Sequence, residues 1–190
     1  MLKQLAIGLG IACCLGLQSC RVVKFMQPVA HAHRLTAAPP GMALVNFHRP
    51  SDYLREAECK VFDQERLIGN TKGEMGFQYV CPPGLHTFLG RAAKGTGLRA
   101  ELAADKVYDV RIEPQRDIFH HSFSLEPMQP SRDRALLDVL DRKEPLWALI
   151  RDTRTQSFED KMRGWTAETA ARLGGPDRDQ LQVMHRTDHR

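Results

Sequence analysis

The sequence predicts a mainly β domain, a sandwich or a barrel, that runs into an α-helical extension. Three observations carry that prediction. Apolar and polar residues alternate along several short runs between residues 42 and 127, as they do in strands half-buried on a sheet. Prolines and glycines punctuate those runs, as at Pro82-Pro83-Gly84, because proline cannot donate to a ladder and glycine permits a positive φ. At Met128-Gln129-Pro130 the apolar period then changes from that of a strand to that of a helix.

The elements follow in order. Met42 to His48 is a mostly apolar run, expected of a strand buried on both faces. Glu58 to Asp63 and Arg66 to Asn70 flank the polar Asp63-Gln64-Glu65-Arg66 and form a hairpin candidate. Phe77, Tyr79 and Cys81 share one face of the next strand, Pro82-Pro83-Gly84 ends it, and Thr87-Phe88-Leu89 starts another. Leu98, Ala100 and Leu102 alternate against Arg99 and Glu101, and Ala104-Asp105-Lys106 reads as a tight turn. Tyr108, Val110 and Ile112 alternate against Val107, Asp109 and Arg111, so they and Leu98, Ala100 and Leu102 are expected on the core side. Phe119, His121, Phe123 and Leu125 alternate against His120, Ser122 and Ser124. Together these make about seven or eight short strands, roughly 8–12 residues apart.

In the extension, Leu136, Leu137 and Leu140 stand at helical spacing with Ser131 as a cap. Ser157-Phe158-Glu159-Asp160 resembles a capping box, after which Phe158, Met162, Trp165 and Thr169 line one helical face. Such a stripe is expected to dock on its own domain, with recruitment of a partner as the other reading and Arg49, Tyr53 and Arg55 as a polar rim. Gly174-Gly175-Pro176 stops the helix. Beyond it only Leu181, Val183 and Met184 offer apolar surface, so residues 176–190 read as a disordered tail.

The opposite end carries an address. Lys3 precedes an apolar run from Leu5 to Leu17, and Leu17-Gln18-Ser19-Cys20 closes the segment. A charged start, an apolar run of this length and a small residue before a cut describe a secretory signal. The run is too short for a span, which needs roughly 20 residues. Leu at −3, a small residue at −1 and Cys at +1 look like a bacterial lipobox. That resemblance implies cleavage before Cys20 and a diacylglycerol on its sulfur. The domains expected are thus a signal over residues 1–19, a lipid-anchored tether over 20–41, a β-domain over 42–127 and a helical extension over 128–175. The tether reading rests on the weak periodicity of Arg21 to Gly41 and its Ala37-Ala38-Pro39-Pro40-Gly41 ending. Extended, it would reach roughly 70 Å.

Composition limits the partners. The chain has 190 residues, with 27 Lys and Arg against 23 Asp and Glu and a net charge of +4. That is no basic footprint for nucleic acid. Of the five cysteines, Cys13 and Cys14 leave with the signal and Cys20 takes the lipid. Cys59 and Cys81 remain for an oxidising compartment, where a structural disulfide between them is expected. It would close a loop of about 20 residues, worth roughly 3 kcal/mol. The other reading leaves both as small buried hydrophobes.

Four motifs resemble one family. Leu44-Val45-Asn46-Phe47-His48-Arg49-Pro50 is an apolar strand ending in Arg-Pro. Lys60-Val61-Phe62-Asp63 with Arg66-Leu67-Ile68-Gly69-Asn70 is a hairpin. Pro82-Pro83-Gly84-Leu85-His86-Thr87-Phe88 is the most distinctive stretch, and Lys106-Val107-Tyr108-Asp109-Val110-Arg111 a Lys-x-Tyr strand. In this order, over about residues 42–127, they are similar to the domain of unknown function 2846 group of small bacterial envelope proteins. The resemblance implies an immunoglobulin-like or transthyretin-like antiparallel β-sandwich and brings no catalytic residues.

Chemistry-bearing motifs are sparse. The sequence has no Gly-x-Ser-x-Gly, no His-Glu-x-x-His and no phosphate loop. Gly95-Thr96-Gly97 reads as a short turn. His31 and His33 would point the same way on a strand and could chelate, whereas His120 and His121 would diverge. No spacing supplies the three or four ligands of a zinc site. His48 and His86 stand apart, and His86 reads as a hydrogen-bonded, half-buried histidine. No catalytic, metal-binding or cofactor-binding residue is assigned. The expected function is that of an envelope lipoprotein, anchored to the bilayer through acylated Cys20 on the periplasmic side of the outer membrane. Its β-domain would serve as a binding or structural module for an envelope protein or glycan. The alternative is a periplasmic hydrolase or metal-dependent enzyme.

Overall fold

The computed structural model describes residues 23–92, 95–116, 121–175 and 181–190. The signal over 1–19, the lipidation site Cys20, Arg21, Phe119 and His120 lie outside the described residues. The strands are β1 Met26–Val29, β2 Ala43–Arg49, β3 Glu58–Asp63, β4 Arg66–Lys72, β5 Met75–Cys81, β6 Gly84–Arg91, β7 Gly95–Leu102, β8 Lys106–Arg116, β9 His121–Met128, β10 Leu146–Leu149 and β11 Leu181–Met184. The helices are α1 Pro130–Lys143 and α2 Thr153–Gly174.

Two sheets pack as a sandwich. One has the order β1-β10-β5-β2-β8-β9, the other β11-β7-β6-β3-β4. Between them lie the inward residues of both, including Val45, Phe47, Phe77, Phe88, Leu98, Tyr108, Val110 and Leu125. Phe47 stacks on Phe77 at 4.8 Å and meets Phe88 edge-on at 5.3 Å. Leu98, Ala100, Leu102, Tyr108, Val110 and Ile112 are all buried, as their alternation predicts. The sheets are mixed where antiparallel ones were expected: β2 runs parallel to β8, β10 to β5 and β11 to β7. Hairpin signals between neighbouring runs say nothing about such long-range pairings.

Each outer face is covered in part by a helix. On the β3-β4-β6 sheet, Phe62, Leu67 and Leu89 receive Phe158, Met162, Trp165 and Leu173 of α2. The stripe therefore docks on its own domain. Gly97 allows this approach, because a Cβ there would lie 2.6 Å from Leu173 Cδ1. Gly95-Thr96-Gly97 is accordingly the opening of β7, not a turn. Arg151 and Glu159 clasp the backbone of Leu67 from the helical side. On the other sheet, α1 sets Leu137 and Leu140 against Met128.

Neither helix starts at the residue expected. Gln129 caps α1 and Pro130 opens it, so Ser131 makes no cap. Asp152 caps α2, its side chain accepting from the Thr155 N–H at 2.9 Å, which puts Ser157 inside the helix.

The segments read as tether and tail are parts of the fold. Val23 and Met26 are buried, and β1 pairs with β10. Phe25 sits at φ 67° with its ring 5.0 Å from Phe158, a left-handed backbone that costs about 1–3 kcal/mol and is held by this packing. At the other end β11 extends the second sheet beside β7, with Met184 fully buried, so residues 181–190 are not a disordered tail. Each strand is only four residues long, too short for its alternation to stand out before its partner is known.

Arg49 is likewise not a surface rim. It is fully buried, donates to the carbonyls of Ala57 and Leu54 at 2.8 Å each, and lies over the Phe123 ring. Tyr53 and Arg55 remain exposed.

Candidate functional site

β2 is buried along its whole length because both of its faces are covered. Alternation sends Val45 and Phe47 inward and Asn46 and His48 outward. The parallel register sets Asn46 beside Asp109 of β8. Over this outward face lie the chain around Arg34, the end of α1 and residue 190, and the polar residues of all these pieces converge.

His48 is completely buried. Its Nδ1 lies 2.5 Å from Glu144 Oε2 and its Nε2 2.9 Å from Asp109 Oδ1. With a carboxylate on each nitrogen, both must donate, and the ring is an imidazolium. Burial opposes that charge. Hydrogen bonds to Asp109 and Glu144, with their negative charges, outweigh it and raise the pKa from 6.5 to about 9. Burial also pushes the Asp109 carboxyl up, but hydrogen bonds from Arg190 and His48 hold it well below the usual carboxylate range.

Arg190 donates from Nε to Asp109 Oδ2 at 2.5 Å and also binds Asp141. Arg34 Nη2 lies 3.3 Å from Asp141 and 3.9 Å from Glu144. Asn46 donates to Asp109 and accepts from Gln78, which in turn clasps the backbone of Leu35. Three cations, His48, Arg34 and Arg190, thus face three carboxylates, Asp109, Asp141 and Glu144. Gly76 of β5 makes room for the set, since a Cβ there would collide with the Glu144 carboxylate.

A cleft of about 340 Å³ opens over this cluster, lined by His31, Arg34, Asn46, Asp141 and Arg190. Among the described residues no group of three or more His, Cys, Asp or Glu side chains is placed to hold a metal ion. In the cluster the imidazole lies between its two carboxylates, so the three donors do not converge on one point. His31 and His33 fall on a 3-10 turn, not a strand, and His31 Nε2 is engaged by the Asp141 carbonyl.

A second set stands at the start of β6. His86 is half-buried, with Nδ1 2.8 Å from Asp63 Oδ2 and Nε2 2.9 Å from the Pro82 carbonyl. Tyr79 also donates to Asp63. The hydrogen bond to Asp63, and then the contact with the Cys81 thiol, raise the His86 pKa to about 10.

Cys59 and Cys81 form no disulfide; both are free and buried. Cys59 sits opposite Thr71, near the Arg49 end of β2, while Cys81 faces Ala43 at the other end. Six residue steps along β2, from Ala43 to Arg49, separate those ends, about 20 Å at strand rise, against the roughly 4.4–6.8 Å between Cα atoms that a bridge needs. Burial pushes the Cys59 thiol up to about 12, so it packs as a hydrophobe.

Of the residues singled out from sequence, His86 stands as expected. The cluster around His48 is assembled from residues that sequence reasoning left apart. A polar Asn46 and His48 on the second face of an otherwise apolar strand were its one available signal.

No family model matches the chain, and neither the curated proteins nor the solved structures searched contain a significant match.

Proposed function

We propose that the chain is an envelope lipoprotein, cut before Cys20 and held by acyl chains on that residue, whose sandwich is a binding or structural module and not an enzyme. The observation that carries the module reading is the closure of the His48 cluster. Both imidazole nitrogens donate to carboxylates, and a cation of raised pKa cannot act as a base near neutral pH. The anchor reading rests on Lys3, the apolar run and Leu17-Gln18-Ser19-Cys20. With it goes a place on the periplasmic side of the outer membrane, and a protein or glycan of the envelope as partner. Kinship with the domain of unknown function 2846 group belongs to the same proposal. Its four motifs fall on β2, on the β3-β4 hairpin, at the start of β6 and on β8.

One observation favours the competing reading of a periplasmic hydrolase: Asp63, His86 and Cys81 lie together in the order of a nucleophile set. Against it, His86 Nε2 is engaged by the Pro82 carbonyl and Cys81 is buried. Membrane fractionation and palmitate labelling of wild type and Cys20→Ala test the main reading. Wild type is expected in the membrane with label and the variant without either; equal behaviour overturns the anchor.

A further inference from the structure

We infer that the groove beside Val23 is a bilayer-facing surface that takes anionic phospholipid headgroups, seating the sandwich against the membrane instead of at the end of a tether. This rests on the proposed acylation of Cys20.

The reach of the chain sets the geometry. Val23 is 2% exposed and belongs to the main core, so the fold is already under way there. From Cys20 to Val23 is three residue steps, at most about 11 Å in any conformation. The edge of the sandwich that carries residues 23–26 must therefore lie within that distance of an acylated Cys20.

That edge bears a groove of about 730 Å³ between the 23–26 segment and the first turns of α2. Lys24, Phe25, Arg154, Ser157, Phe158 and Lys161 line it. Lys24 Nζ lies 5.0 Å over the Phe25 ring and 5.9 Å from that of Phe158. Lysine heads above aromatic rings suit the headgroup layer, where apolar bodies sink and charged tips stay wet. Three cations line the groove against one carboxylate, Asp152. Asp152 is already bound by Arg154 and by the Thr155 N–H. The neighbouring acids Glu159 and Asp160 of α2 are paired with Arg151 and Arg163. Each cation near an anionic leaflet strengthens attachment about fivefold.

The test uses the mature, lipidated chain reconstituted in vesicles of phosphatidylethanolamine and phosphatidylglycerol. An environment-sensitive fluorophore goes on Ser157→Cys, in the groove, or on Gln115→Cys, exposed on β8 near the opposite edge of its sheet. Cys59 and Cys81 are buried and do not compete for label. Mass spectrometry first reports whether Cys20 is acylated. The Ser157→Cys probe is expected to shift blue and to be quenched by brominated phosphatidylglycerol, and the Gln115→Cys probe to do neither. Adding Lys24→Glu and Lys161→Glu is expected to return the first probe to the level of the second. An acylated, vesicle-bound chain whose Ser157→Cys probe stays in water overturns this inference and leaves the anchor standing. An unmodified Cys20 overturns both.

Discussion

His48 Nε2 lies 2.9 Å from Asp109 Oδ1 on the neighbouring parallel strand, and both side chains are buried. A charge pair at that depth makes stability depend on pH. The folded protein holds the His48 proton up to about pH 9, while an unfolded chain releases it near 6.5. Stability is therefore fully present below about pH 6.5 and falls as pH rises toward 9, by about 3 kcal/mol. Asp109 works in the opposite sense: its contribution is present above the ordinary range near 3.8 and is lost in strong acid. His86, held protonated by Asp63 but half-exposed, adds a smaller alkaline loss. Urea midpoints between pH 6 and 9.5 measure the slope, and ¹⁵N spectra of the His48 ring at pH 8 should show an imidazolium. A neutral ring at that pH contradicts the assignment.

Gly76→Ala is expected to destabilise by about 3–5 kcal/mol, because the new methyl expels the Glu144 carboxylate and leaves the buried His48 Nδ1–H without its acceptor and the imidazolium with one of its two carboxylates. In a Glu144→Ala background the same change should cost much less, since the colliding group is gone. Equal costs in the two backgrounds, by chemical denaturation, would place the damage elsewhere.

Tyr108 is fully buried, and its hydroxyl accepts from the Ala103 N–H at 2.9 Å and donates to the Arg186 carbonyl. Tyr108→Ala should cost about 3–5 kcal/mol. Tyr108→Phe keeps the ring and loses only those bonds, so about 1–2 kcal/mol is expected. Similar urea midpoints for the two variants refute this division between packing and hydrogen bonding.

Thiol chemistry checks the cysteines. Cys59 and Cys81 are expected to be inert to iodoacetamide in the folded protein and both to react once it is denatured without reductant. Reductant should leave the unfolding midpoint unchanged. Rapid alkylation of native Cys81 would revive the hydrolase reading; a failure of either thiol to react after unfolding would revive the bridge.

Much of the sandwich was legible because its evidence is local. Alternation in Leu98–Leu102 and Tyr108–Ile112 reports one wet and one dry face, and Pro82-Pro83-Gly84 stops a strand wherever it stands. The stripe Phe158, Met162 and Trp165 told that α2 docks, though its cap at Asp152 lay five residues before the expected Ser157. The short strands β1, β10 and β11 exist because an edge was open to receive them, which no four-residue pattern encodes.

The sequence by itself determined the period of each long strand, the two helices and a face of α2 that must be buried, since these follow from side-chain spacing along one segment. Only the tertiary structure decided which strands run parallel and that Cys59 and Cys81 sit at opposite ends of the sandwich. It also decided that Arg34, His48, Asp109, Asp141, Glu144 and Arg190 meet. Those residues are spread over more than 150 positions. What joins them is the cost of burying a charge without its opposite, and that cost acts on the folded neighbourhood of a residue, not on its neighbours in the chain.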